Sequence, residues 1–388
     1  MSAEYQHMKN YRASLVRIFK PDHIALILLL GVLLITPGCS ENKSTRIILK
    51  PATDSAGLLA ETTWFSMGTL ASLTVSGEDR DSLPEYTAAS KKILKEIEAA
   101  LTVFNPAGEV SRLNQSAGQA PVPVSRHTYA AFQYAIQFGN ISHGCFDPTV
   151  APLVKAWGFS GGQVPKKLID ETTIHELLKT VGYRHIVLSN NTVYFDLPGL
   201  SVDLGGMGKG YAVDACYDTL MAMRAPNVMI NIGGNIRCGG TDRQGRSWRI
   251  GIRNPFDREH IVGSILLSNG LAVATSGNYE QFHIIGNERY SHIIDPRTGY
   301  PAKGMAAVTI ISTNAVETDG MATSFFVLGI EESRPVLAQI PWCQALFIPD
   351  KQPIRIYITP GFRKHFTPDP AFADKIIELE ISAKKNQP

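Results

Sequence analysis

The stretch that decides the architecture runs from Val228 to Thr275 and reads VMINIGGNIRCGGTDRQGRSWRIGIRNPFDREHIVGSILLSNGLAVAT. Within it Val228–Ile232, Trp248–Arg253, Ile261–Leu267 and Leu271–Thr275 are rich in β-branched and aliphatic residues. Gly, Asn, Asp and Ser lie between them, so they read as strands, mostly joined by short turns. Short joins pair strands antiparallel, because parallel neighbours need a crossover of roughly a dozen residues or more.

Working outward, a helix carrying Tyr211, Val213 and Leu220 follows the glycines at 205–210, and His185–Ser189 and Thr192–Phe195 flank the turn Asn190-Asn191 as short strands. Further back, a helix is expected over about Arg126 to Phe138. From Leu83 to Leu101 the residues Ile93, Leu94, Ile97, Ala100 and Leu101 recur at helical spacing, with Lys91, Lys92, Lys95, Glu96 and Glu98 on the other side. Thr62 to Val75 reads as an opening strand pair. Towards the C-terminus, a strand Val308–Ser312 precedes a helix over about Ala315–Leu328. Strand clusters separated by helices, without a steady βαβ rhythm, define an α+β protein of mixed, largely antiparallel sheets with packed helices. No repeat or Pro/Ser-rich linker divides residues 61–388, which form one domain.

The balance of 37 Lys+Arg against 35 Asp+Glu gives no support for the basic face that nucleic-acid binding requires. With 44% hydrophobic and 19% charged residues the chain is globular, and five cysteines in 388 residues are too few for a disulfide-built scaffold. The N-terminus reads as an address. Lys9, Arg12, Arg17 and Lys20 precede an apolar run from Ile24 to Ile35. Twelve helical residues reach only ~18 Å of the ~30 Å hydrocarbon core, so the run reads as a signal peptide over 1–38. Thr36-Pro37-Gly38-Cys39-Ser40 resembles the lipobox of bacterial lipoproteins, in which Cys39 becomes the lipidated first residue; Thr36 departs from the usual leucine. An uncleaved anchor and an ordinary secreted protein are the alternatives. Residues 39–60 then form a tether. Cys145, Cys216, Cys238 and Cys343 lie among apolar or glycine neighbours and read as buried thiols.

Three segments concentrate chemistry. In Asp203-Leu-Gly-Gly-Met-Gly-Lys-Gly-Tyr-Ala-Val-Asp214 a glycine-rich turn feeds a helix, which points free N–H groups at an anion, and Lys209 adds a mobile charge for phosphate. The spacing fits neither a Walker loop nor a dinucleotide fingerprint, and a purely structural turn is the competing reading. Tyr290–Pro301 groups His292, Asp295, Arg297 and Thr298; a lone histidine is more often structural, and the polar density around it argues for a site. In Glu317–Ser324, Asp319 and Thr323 are four apart on a helix and share one face. A carboxylate and a hydroxyl, joined by a backbone carbonyl, make the hard oxygen set that Mg²⁺ prefers; a solvated helix end is the alternative.

Eight segments in order resemble the ApbE-type flavin transferases, FAD:protein FMN transferases, over about Thr62 to Phe347. They are Met67-Gly68-Thr69, Phe104–Asn114, Phe146–Phe159, Asp203–Gly210, Asn231–Gly234, Ser276-Gly277, Ser291–Pro301 and Asp319–Thr323. Two departures stand out: Gly320 replaces an alanine that usually follows the aspartate, and Gly206 or Gly208 stands where the loop commonly has alanine.

The resemblance implies an enzyme that transfers the FMN part of FAD to a threonine hydroxyl of an acceptor protein, releasing AMP, with Mg²⁺ as cofactor and FAD as substrate. FAD lies, on this analogy, in a cleft between sub-regions lined by Met67, Phe104, Cys145, Phe146, Asp147, Asp203, Lys209 and Ile293. Phe104 stacks on the flavin or, alternatively, closes the core after the first helix. Asp147 and Asp203 bond polar edges of the nucleotide. The metal is held by Asp319 and Thr323 side chains with the carbonyls of Gly206 and Ala322. Lys209 and Asp319 serve catalysis, and His292, whose ordinary pKa is near neutral, is the candidate base. Acceptors are flavoproteins such as extracytoplasmic domains of membrane redox pumps, reached from a lipid anchor in the inner membrane facing the periplasm. Water in place of threonine gives an FAD pyrophosphatase. A non-catalytic FAD-binding lipoprotein and a flavin oxidoreductase are the other classes.

Overall fold

The computed structural model describes residues 46–50, 59–76, 82–161 and 163–381, so the signal peptide, Cys39 and most of the tether lie outside the described residues. Arg46–Lys50, within the tether stretch, pairs antiparallel with Leu59–Ser66. Among the described residues no helix is long and apolar enough to cross a membrane.

The frame is a ten-stranded sheet. Its order is Arg46–Lys50, Leu59–Ser66, Thr69–Ser76, Val228–Ile232, Asn235–Gly239, Ala272–Gly277, Met305–Ser312, Gln344–Pro349, Ile356–Ile358 and Ile376–Glu378. Neighbours pair antiparallel except the last two strands, which are parallel. The fold class is therefore as expected. Met305–Ser312 is buried throughout because both its faces are covered: Val308 and Ile310 join one core, Ala307 and Ile311 the other. Against the first face pack the helices Leu83–Leu101, Gly208–Ala222 and Ala315–Gln339. Against the second lies a three-stranded sheet of Trp248–Arg253, Ile261–Leu267 and Phe366–Pro368.

Leu83–Leu101 starts at a proline in its first turn and buries Ser90, Leu94, Ile97 and Leu101, one stripe at helical period. The helix expected over about Ala315–Leu328 ends there as read: Gly329, at φ 68°, is non-helical, and a second helical stretch follows it across the kink, so that the element as a whole spans Ala315–Gln339. A third cluster joins the Phe146–Phe159 segment to the Tyr290–Pro301 segment: Trp157 stacks on Tyr290 at 5.5 Å, and its indole N–H donates to the Gly299 carbonyl at 2.9 Å. Cys145, Cys216, Cys238 and Cys343 are buried free thiols.

Candidate active site

The site begins where two helix N-termini meet. Asp203 donates its N–H to the Pro148 carbonyl at 2.8 Å, and its Oδ1 accepts the Gly205 N–H at 2.8 Å. The chain then turns into the helix Gly208–Ala222. A Cβ on Gly210 would stand 2.2 Å from the Ala315 carbonyl oxygen and 2.7 Å from Asp319 Cβ, so only glycine allows this approach. The closeness lets the Gly210 N–H donate to Asp319 Oδ2 at 2.9 Å. One turn further along, Thr323 Oγ1 lies 3.2 Å from the Gly206 carbonyl oxygen and 3.2 Å from the Asp319 carbonyl oxygen, with Ser276 Oγ at 3.4 Å.

Asp319 is only 6% exposed. Burial pushes its carboxyl above the ordinary carboxylate range, while the Lys209 charge, the Gly210 N–H and the Asn235 amide pull the other way. Lys209 Nζ stands 4.0 Å from Asp319 Oδ1. Asn235 Oδ1 is buried without a partner. Three of the four expected metal-holding positions, Gly206, Asp319 and Thr323, are thus brought together, and Ala322 is buried in the same helical turn. Among the described residues no group of three or more His, Cys, Asp or Glu forms a metal centre. The donors here are one carboxylate, a hydroxyl and a carbonyl, the oxygen chemistry that a hard divalent cation takes.

The expected nucleotide side adjoins this knot. Phe146, 4% exposed, lies edge-on to Phe138 and within 3.2 Å of where a Gly206 Cβ would be. Asp147 caps its own turn: Oδ1 accepts from the Thr149 N–H and hydroxyl, and Oδ2 accepts the Tyr183 N–H at 2.9 Å. Cys145 is buried, which pushes its thiol up to about 11 and makes it a poor nucleophile. His292 Nδ1 lies 3.1 Å from the Gln281 carbonyl oxygen. A carbonyl only accepts, so Nδ1 holds the proton and Nε2 keeps its lone pair. Loss of water pushes this imidazole down to about 4, with the Lys209 charge acting in the same direction. Ile293, next in sequence, is 7% exposed.

Met67 occupies the turn between the first two long strands at φ 52°, and Phe104 lies in the loop after Leu83–Leu101. Phe104 is 75% exposed, which overturns its reading as a core residue and leaves its ring free to stack. A cavity of about 570 Å³, lined by Leu168, Glu288, Tyr290, Asp295, Thr298, Tyr300, Pro301, Ala302 and Lys303, takes in Asp295 and Thr298 of the Tyr290–Pro301 segment but none of the residues expected to hold FAD or the metal.

Sequence reasoning gave no role to Asn235, Asp214 or Arg237, all of which bear on the two helix ends. The available signal was position alone: Asn235 directly follows the Gly233-Gly234 turn, and Asp214 ends the glycine-rich motif.

The site thus sets a lysine-bearing glycine turn, bonded to a carboxylate on a second helix, against one face of a largely antiparallel sheet in an α+β fold. The chain belongs to the ApbE family, whose model matches residues 67–347. A Vibrio cholerae protein named FAD:protein FMN transferase is 34% identical over 253 residues, covering 64% of this chain and 76% of that one. A Klebsiella pneumoniae protein of the same name is 29% identical over 340 residues, covering 86% and 95%. Among solved structures, the flavin transferase ApbE from Vibrio cholerae matches with a TM-score of 0.73 at 29% identity, over 80% of this chain and 99% of that one. The ApbE protein of Thermotoga maritima matches with a TM-score of 0.72 at 29% identity, over 79% and 98%.

Proposed function

We propose that this chain transfers FMN from FAD to a threonine hydroxyl of an acceptor protein, with a divalent cation, Mg²⁺, held by Asp319, Thr323 and the carbonyls of Gly206 and Ala322. The observation that carries the reading is the convergence of Thr323 Oγ1 and the Gly206 carbonyl, 3.2 Å apart, beside a buried Asp319 and Lys209. Relatives named for this transfer supply the substrate.

The reaction breaks the bond between the FMN phosphorus and the bridging oxygen, which leaves with AMP. A new phosphorus–oxygen bond forms to the threonine, whose proton passes to Nε2 of His292. When bound, the cation neutralises diphosphate charge as it shifts towards the leaving group. Lys209 adds a positive charge beside Asp319. The glycine turn aims backbone N–H groups at phosphate oxygens. Met67, Cys145, Phe146, Asp147, Asp203 and Ile293 line the FAD cleft, and Phe104 presents an exposed ring to the flavin.

The chain works from the bacterial inner membrane, lipid-anchored through Cys39 and facing the periplasm, on flavoproteins such as extracytoplasmic domains of redox pumps. The basic flank, short apolar run and Cys39 support that location.

Purified protein mixed with FAD, Mg²⁺ and a threonine-bearing acceptor tests the reading. Covalent flavin fluorescence on the acceptor is the expected result, and Asp319→Asn should lower it ~10²-fold or more. Free FMN with unlabelled acceptor would instead assign hydrolysis, and unchanged FAD would assign binding only.

A further inference from the structure

The bonds that join the two site helices have a mirror image away from the site. Asp319 accepts from Gly210 at the start of Gly208–Ala222. Asp214, one turn beyond Gly210, accepts in return from the first two amides of Ala315–Gln339: Ala315 N–H at 2.8 Å to Oδ1 and Val316 N–H at 2.8 Å to Oδ2. Each helix thus sets a carboxylate on the positive end of the other. Arg237 Nη1 donates to Asp214 Oδ1 at 2.7 Å, its Nε donates to the Gly270 carbonyl at 3.3 Å, and its guanidinium lies 4.0 Å from the centre of the Tyr217 ring. Asn235 and Arg237 are two apart on the strand Asn235–Gly239 and so share a face. Arg237 bonds Asp214, and the Asn235 amide, which donates to the Ile232 carbonyl at 3.5 Å, also pulls the pKa of the Asp319 carboxyl down, so one strand bears on both carboxylates.

Helix capping alone does not account for Asp214. The helix Ala315–Gln339 already has its cap in Asn314, whose Oδ1 accepts the Glu317 N–H at 3.1 Å. What the Asp214 bonds add is a fixed location of that N-terminus relative to the partner helix.

We infer that the Arg237–Asp214 pair is a positioning device: it sets the separation between the Gly206 carbonyl and the Asp319–Thr323 side chains, and through it the affinity for the divalent cation. This rests on the proposed metal reading. Neither residue touches substrate; both act through Asp319.

The test uses Mn²⁺ as the probe, its binding followed by the paramagnetic resonance of the free ion, on wild type, D319N, D214N and the double variant D214N/R237Q. Wild type should bind and D319N should not. D214N should bind ~10-fold or more weakly, the usual size of an outer-shell effect on a metal site. Saturating Mn²⁺ should return most of its turnover, which damage to folding would not allow. Mn²⁺ affinity in D214N within about twofold of wild type overturns the inference and leaves the metal reading intact. Absence of Mn²⁺ binding in wild type overturns both. If D214N does not fold, the double variant, which leaves no unpaired buried charge, is judged by the same thresholds. If neither folds, the pair belongs to folding, and the positioning role is overturned.

Discussion

His292 illustrates how much one hydrogen bond decides. Its Nδ1–H is spent on the Gln281 carbonyl, so the ring offers Nε2 as a base without any change of tautomer. Its folded pKa of about 4 lies below the ordinary imidazole value of ~6.5. Between those values the unfolded chain binds more protons than the folded one, so this residue makes stability rise with pH across that window. Wild type should therefore lose more melting temperature than His292→Gln on moving from pH 7 to pH 4.5. Equal losses would show that folding does not oppose the imidazolium. The same substitution should lower turnover by ~10²–10⁴-fold with FAD binding preserved, if Nε2 takes the threonine proton. Phe104→Ala tests the opposite kind of residue. An exposed ring that stacks on a flat ligand contributes ~0.5–1.5 kcal/mol beyond area, so KM for FAD should rise by about two- to tenfold with kcat nearly unchanged.

At the level of elements, the legible parts were those whose pattern serves a single purpose. Leu83–Leu101 buries one stripe and exposes charge on the other, so spacing alone fixed its ends. Asn235–Gly239 was not legible as a strand, since Ile236 and Cys238 face the core while Arg237 bonds Asp214 and the Asn235 amide acts on the Asp319 carboxyl. The site divided similarly. Asp319 and Thr323 were readable as helical neighbours, but their meeting with Gly206 depends on two helices crossing at Gly210, which no local spacing reveals. Gly320, the departure from the family's usual alanine, has a packing cause: a Cβ there would stand 2.4 Å from the Phe138 ring. Restoring the alanine should destabilise the protein by ~1–3 kcal/mol through overpacking, measured by chemical denaturation. Pairing it with Phe138→Leu should recover part of that loss; no recovery would locate the strain elsewhere.

Across the whole molecule, the sheet divides labour between its faces. The helix-bearing face carries Gly206, Lys209, Asp319 and Thr323, while the three-stranded sheet closes the other face with the apolar residues Ile252, Ile265 and Phe366. On the function proposed above, the chemistry belongs to the folded domain and Cys39 serves delivery to acceptors. A lipid anchor raises the local concentration of enzyme at a membrane-bound acceptor without any new contact. Cys39→Ala should move the protein from the membrane to the soluble fraction, leave FMN transfer to a soluble acceptor domain unchanged, and slow transfer to the same domain embedded in vesicles. Retention of Cys39→Ala in the membrane would mean that the apolar run Ile24–Ile35 stays uncleaved and does the anchoring. Equal rates on soluble and embedded acceptors, in both forms, would remove the anchor from the reaction altogether.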